Sequence, residues 1–270
     1  MARRVMIRGA VAGLVGGLGM IVVMILVMGT TGSGYASPLN LGMPGFVYTI
    51  TPPVSMLPKM MMLMGIHLPA SAMTKLGPAI ASGHIPPMMV HQLGMMLQGM
   101  HVPAAKVHMM GQLMTGTADN KTVADLLSSM SPSARSAIMG AMPVAAGRVV
   151  VGTVLHFAFA AFLGTVFAVL ILAVGIRRLR IPGLGTVVGI VGVSIVGGAI
   201  VYAVNRWLIL PPTNPMLGVA PQTAFFISHL VWGLGVGLVL ALVAQRSGLL
   251  TNATPGHGHV VDRATGASSV

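Results

Sequence analysis

Four stretches of the chain stay apolar for ~20 residues or more, the length a helix needs to cross a lipid bilayer. They run over about 9–29, 149–176, 181–204 and 222–245. Nothing else in the sequence constrains the fold as strongly, because few backbone forms satisfy all their own hydrogen bonds inside lipid. The composition agrees: 55% of the 270 residues are hydrophobic and 7% are charged, whereas a soluble domain carries roughly 25% charged residues. The expected fold is an all-α integral membrane protein, a four-helix transmembrane bundle with an extracytoplasmic cap of short amphipathic helical repeats. On that reading 1–29 holds the cytoplasmic N-terminus and first span, and 30–148 is an extracytoplasmic Met/His-rich segment. Spans two to four occupy 149–246, and 247–270 is a disordered cytoplasmic tail.

Basic residues set the expected orientation. Arg3, Arg4 and Arg8 precede the first span, Arg177, Arg178 and Arg180 fill the tight second–third loop, and Arg246 follows the fourth. Short segments rich in Arg and Lys stay cytoplasmic, so both termini are expected inside a bacterial plasma membrane, with 30–148 and the loop 205–221 outside. A competing reading takes MARRVMIRG and the run behind it as a signal peptide cut near 34–36; the run is long for that role, which favours a retained helix. The formal charge of +12 needs no nucleic-acid partner, since the cations border apolar runs instead of forming an aromatic-interleaved patch. Glycines recur at small-xxx-small spacing, at Gly9, Gly13 and Gly17, at Gly185 and Gly189, and at Gly233 and Gly237. That spacing lets helix backbones approach closely, within a bundle or between copies in a homo-oligomer.

The chain has no Cys and no Glu, and its acids are Asp119, Asp125 and Asp262. Disulfides and thiolate metal sites are excluded, and little is left for paired-carboxylate catalysis. No enzyme is expected.

The segment between spans one and two is a tandem repeat. HLPASAMTKLGPAIASG (67–83), HIPPMMVHQLGMMLQGM (84–100) and HVPAAKVHMMGQLMTGT (101–117) align at a period of seventeen, after a fainter copy, ITPPVSMLPKMMMLMGI (50–66). A fixed period implies one supersecondary unit per copy. Each copy is expected to form a short helix, with Pro in its first turn and Gly77, Gly94 or Gly111 near its end. In the middle copy Met89, Leu93, Met96 and Leu97 share one face. Such helices would lie on or above the outer membrane surface, with Lys59, Lys75, Lys106 and Lys121 meeting anionic headgroups. Beyond 118 one more amphipathic helix is expected, broken at Ser131-Pro132.

This segment concentrates soft donors: 18 of 24 Met and 5 of 9 His lie between 43 and 142. Met88, His91 and Met95 stand at i, i+3 and i+7 and share a helical face. His67, His84 and His101 open successive repeats, and His108 lies in the third. Thioether and imidazole suit Cu(I) or Ag(I). Against this, the position nine residues after each leading His reads Leu76, Leu93, Met110, and thirteen after reads Ile80, Leu97, Met114. Met there exchanges with aliphatics, as apolar filler does. Soft-metal binding, apolar packing or membrane contact, and a methionine sink for oxidants are the alternatives.

Inside the membrane, His156 and His229 each lie about seven residues into spans two and four, some ~10 Å deep at 1.5 Å per residue, with Met24 and Met28 near the same level. Intramembrane ionisable residues are costly and therefore functional candidates. The pair could ligate haem b, bind copper with the two Met, or contact a quinone headgroup. The plainer alternative is that each bonds a backbone carbonyl or a nearby hydroxyl such as Thr153 or Ser228. The GHGH at 256–259 reads as part of the disordered tail.

The Gly-rich first span, a G-x-x-P-P-M-type amphipathic segment, VLHFAFAAFLG and above all SHLVWGLGVGL resemble a family of uncharacterised bacterial four-span inner-membrane proteins. The resemblance implies the topology and a role for His156 and His229, but no established activity. The chain departs from the family pattern by expanding the first outer segment into repeats. The first functional expectation is a non-catalytic scaffold or accessory subunit whose outer segment contacts lipid or a partner complex. The second is copper or silver handling, and the third is bis-His haem or quinone electron transfer.

Overall fold

The structure, a computed structural model, describes residues 2–250; the GHGH stretch and the rest of the tail from 251 lie outside the described residues. Among these the regular structure is all helical, without strands. Helix α1 spans Ala2–Thr30. After a π turn (Pro38–Gly42) and 3₁₀ turns (Met43–Phe46, Val54–Met56) come the short helices α2 (Leu57–Leu63), α3 (Ala70–Ala81), α4 (Pro87–Gly99), α5 (Ala104–Thr115), α6 (Asn120–Ser128) and α7 (Pro132–Ala141). Helix α8 (Ala146–Ala168) continues as a π segment to Arg178. Helix α9 (Val187–Val204) runs through a π turn (Asn205–Ile209) into α10 (Leu210–Thr213); α11 (Pro215–Gly218) and α12 (Gln222–Arg246) follow.

Four helical stretches are long and apolar enough to cross a membrane: Arg3–Thr30, Ala146–Ile176, Val187–Thr213 and Gln222–Arg246. The third starts later and ends later than the sequence suggests. Thr186 caps it, its hydroxyl accepting from Gly189 N at 3.0 Å. The π turn then carries the helix past Asn205 instead of releasing it into a loop.

The four stand in a row, α8–α1–α12–α9, with α1 and α12 packed on each other at the centre. Glycine makes the central approaches possible. A β-carbon at Gly13 would collide with the Ala160 carbonyl, one at Gly16 with the Trp232 carbonyl, and one at Gly233 with the Ser194 carbonyl. The third span meets α12 through Ser194 and Gly198, not through the expected Gly185 and Gly189. Gly185 precedes the helix, and Gly189 presses on the carbonyl of Gly183 in the turn before it. Helices α8 and α9 share little; Phe167 of α8 lies over Gly197 of α9 and makes the main bridge.

The chain direction brings Arg3, Arg4, Arg8 and Arg246 to one end, where Arg8 Nη1 donates to Ser247 Oγ at 2.9 Å. The short helices cover the other end. Their cores join the ends of α1 and α12 through Met24, Met28, Val123, Leu126, Ile138 and Phe225, all buried. Three asparagines pin this layer. Asn40 donates to Pro143 O and accepts from Ala145 N; Asn120 donates to Gly45 O and Tyr48 O and accepts from Ile50 N; buried Asn214 donates to Gly42 O at 2.8 Å. Backbone groups of irregular segments have no ladder to join, so side-chain amides satisfy them. Ser131 caps α7, its hydroxyl accepting from Ala134 N, so the stretch beyond 118 is two helices divided at the expected break.

The seventeen-residue period is visible as three helix starts, each capped by a proline: Pro69, Pro86 and Pro103. These prolines sit one position before the helix, where their carbonyls accept from the first free N–H groups. The endings differ from expectation, because Gly77, Gly94 and Gly111 lie inside their helices. The helices stop where a residue takes a left-handed φ: Gly65 (77°) after α2, Gly83 (74°) after α3, His101 (60°) after α4 and Gly116 (72°) after α5. Each closes with the six-to-one backbone bond of a Schellman motif, for example Val102 N to Leu97 O at 3.0 Å.

Candidate functional site

The expected membrane pair shares one cavity. His156 of α8 and His229 of α12 both line a space of about 280 Å³ between α8 and α9. Its roof is Phe46, Leu210 and Leu217 from the turns above, with Phe46 stacked on Phe159 at 5.9 Å. Below it, Trp232 meets Phe167 edge-on at 5.1 Å. The mouth is made by Phe162 (63% exposed), Ile200 and Val204, which face away from the protein. Apart from the two histidines and Asn205, the lining is apolar.

Each imidazole has a defined polarity. His156 Nε2 lies 2.8 Å from the carbonyl oxygen of Gly17 on α1. A carbonyl only accepts, so Nε2 carries the proton and Nδ1 is the lone pair, with no hydrogen bond from another described residue. His229 Nδ1 lies 2.7 Å from Phe225 O, which by the same argument makes Nδ1 the donor and Nε2 the lone pair. Asn205 Nδ2 approaches that Nε2 at 3.3 Å, a long bond by the usual criteria. No carboxylate lies in any of the four spans to balance an imidazolium. The plainer expectation of carbonyl bonding thus holds for one nitrogen of each ring, though not through Thr153 or Ser228, whose hydroxyls bond Val149 O and Phe225 O instead.

Met24 and Met28 do not join this site; they are buried among the short helices, and Met20 is the methionine that lines the cavity. Asn205 is the polar residue that sequence reasoning passed over. It stands directly after the apolar run of span three and reads as a loop; only the π turn keeps it inside the helix, aimed at His229. Irregular turns of this kind recur at functional positions.

The soft donors of the repeats divide into two populations. Met110 and Met114, at the positions that alternate with aliphatics, are buried with Leu76, Leu93 and Leu97. Met88 (73% exposed) and Met95 (61%) are uncovered, as are His67, His84, His91, His101 and His108. A groove between α4 and α5 brings His91, Met95 and His108 together with Gln98 and Gln112. Met88 lies one turn before His91 on the same helix, outside the lining of the groove, and the three leading histidines are not brought to it. Among the described residues no cluster of three His, Cys, Asp or Glu is placed to hold a metal ion, so any soft-metal site would have to use thioethers.

No family model, curated protein or solved structure matches the chain.

Proposed function

We propose that the chain is a non-catalytic integral protein of the bacterial plasma membrane, a scaffold or accessory subunit with both termini cytoplasmic. Its short-helix layer faces outward and engages lipid or a partner complex. The observation that carries this reading is the division of α4. Leu93 and Leu97 on one face build the layer's core, while Met88 and Met95 on the other are left bare. Flexible, polarizable thioethers suit adaptable interaction surfaces, and a ridge of exposed apolar side chains marks a place of contact. Lys59, Lys75 and Lys121, all exposed, supply charge for anionic headgroups.

The absence of cysteine makes sidedness directly testable. Single Met88→Cys and Gly248→Cys variants, exposed to a membrane-impermeant maleimide, should label in intact cells and only after lysis, respectively. The opposite pattern would overturn the orientation. A photoreactive methionine analogue at Met95, activated in native membranes, should crosslink to lipid or to one reproducible protein. Absence of both adducts would sink the docking role.

A second reading, Cu(I) or Ag(I) capture, draws support from the α4–α5 groove, where two imidazoles and a thioether converge. If the groove binds Cu(I), the purified chain under reducing conditions should compete with a Cu(I) chelator, and His91→Ala with His108→Ala should abolish that competition. Competition unchanged by both substitutions would exclude the groove.

A further inference from the structure

We propose that the cavity between α8 and α9 binds the ring of a membrane-soluble hydroquinone, in preference to its oxidised quinone. This deepens the quinone alternative and is independent of the role assigned to the short-helix layer.

The argument starts from hydrogen-bond polarity. Three polar residues line the cavity, and their bonds leave two imidazole lone pairs, His156 Nδ1 and His229 Nε2, and one amide donor, Asn205 Nδ2. In an apolar enclosure a lone pair without a donor is costly, so the favoured solute brings O–H groups. Its reduced form brings two, one for each imidazole; the 3.3 Å Asn205 bond is long enough to yield, freeing the amide to donate to a ring oxygen. The oxidised ring brings only carbonyl acceptors, which Asn205 alone can serve, and both imidazoles stay unmatched. A simple fatty alcohol has one hydroxyl and no ring to use the aromatic walls.

Size and surroundings select the rest of the ligand. A volume of about 280 Å³ lies at the small end of ligand pockets, roughly 300–1,000 Å³. It accommodates a substituted ring and excludes a long chain. Phe46, Phe159, Phe225 and Trp232 line it and offer the offset and edge-on contacts that aromatic rings prefer. The mouth at Phe162, Ile200 and Val204 is apolar and exposed along the spanning helices, so an alkyl tail leaves directly into the bilayer.

The test uses the full-length protein in lipid nanodiscs and three probes: decyl hydroquinone, decyl benzoquinone and the dimethyl ether of the hydroquinone. Binding is read as ligand retained above protein-free discs. The hydroquinone should saturate near one equivalent, and the ether, which keeps shape but loses both O–H donors, should bind at least about tenfold more weakly, as expected for lost hydrogen bonds in an apolar site. The quinone should fall between them or with the ether. His156→Ala and His229→Ala should each weaken the hydroquinone by about tenfold on the same grounds. Because those variants also remove structural hydrogen bonds, Val204→Trp serves as an independent variant that fills the mouth and leaves every imidazole bond intact; it too should abolish retention. Retention of the quinone or of the ether equal to that of the hydroquinone, or hydroquinone binding unchanged in Val204→Trp, would overturn the proposal. So would no retention above protein-free discs.

Discussion

His156 Nε2 donates to the backbone carbonyl of Gly17, 2.8 Å away on the neighbouring helix. An in-helix carbonyl has its own i+4 partner to serve, and a ring reaches it only where the facing residue has no side chain. Gly17 meets that condition: a β-carbon there would lie 2.7 Å from the Ala160 methyl and 3.5 Å from the imidazole.

The same stripe yields an ordering of stabilities. At Gly17 the obstacle to a β-carbon is mainly a methyl group, whereas at Gly13 it is the backbone carbonyl of Ala160, which cannot step aside. Gly13→Ala is therefore expected to cost more than Gly17→Ala, with overpacking of about 1–3 kcal/mol exceeding the helix-propensity gain of about 1 kcal/mol. Thermal unfolding of the two variants in mild detergent checks the order; equal stabilities would mean that α1 and α8 can separate without loss.

His101 holds a φ of 60° at the end of α4, a conformation in which glycine carries no β-carbon penalty. His101→Gly should stabilise the protein by about 0.5–1 kcal/mol, and His101→Val should destabilise it. A His101→Gly variant that melts earlier than its parent would show that the imidazole makes a contact outweighing the backbone strain.

Asp119 caps α6, its carboxylate accepting from Thr122 N at 2.7 Å, and that bond holds the carboxyl pKa below its ordinary value. A depressed folded pKa means stability that is present above the unfolded value, near ~4, and lost as pH falls through the folded one. Asp119→Ala should cost about 1 kcal/mol at neutral pH, as for other N-caps, with a smaller difference at acid pH. Asp119→Asn should keep the cap while removing its acid sensitivity. Unfolding measured at pH 7 and below pH 4 distinguishes the two substitutions.

Buried and exposed thioethers should part company on substitution. Met110→Leu, at a fully buried position that the first two repeats fill with Leu, is a volume-conserving change expected to cost under ~1.5 kcal/mol. It should leave any Ag(I) or Cu(I) binding untouched. Met95→Leu, on the groove with His91 and His108, should leave stability unchanged and weaken such binding. Equal effects of the two on metal competition would remove the groove from consideration.

The four spans were legible because a bilayer-length apolar run leaves few alternatives to a helix, and the repeat was legible because its period survives in Pro69, Pro86 and Pro103. Helix endings were harder. Gly77, Gly94 and Gly111 look like terminators, yet their helices run on to whichever later residue takes a positive φ, in one case a histidine. The depth match of His156 and His229 pointed to a shared cavity, but not to the tautomers, which depend on Gly17 and Phe225 carbonyls that no side-chain pattern reveals. Asn205 was invisible for a similar reason: a π turn is a change of backbone register, and hydropathy does not register it.

The row order α8–α1–α12–α9 also determines how anything reaches the two imidazoles. A closed bundle would hide them on a central axis, accessible only from an aqueous end. An open row instead leaves the mouth at Phe162, Ile200 and Val204 facing the hydrocarbon, so the relevant dilution is that of a two-dimensional film. A solute twice as concentrated in the leaflet is twice as available, whatever its level in water. Affinities expressed as aqueous concentrations will therefore strengthen with each methylene added to a ligand's tail, while affinities expressed as mole fraction of lipid will not.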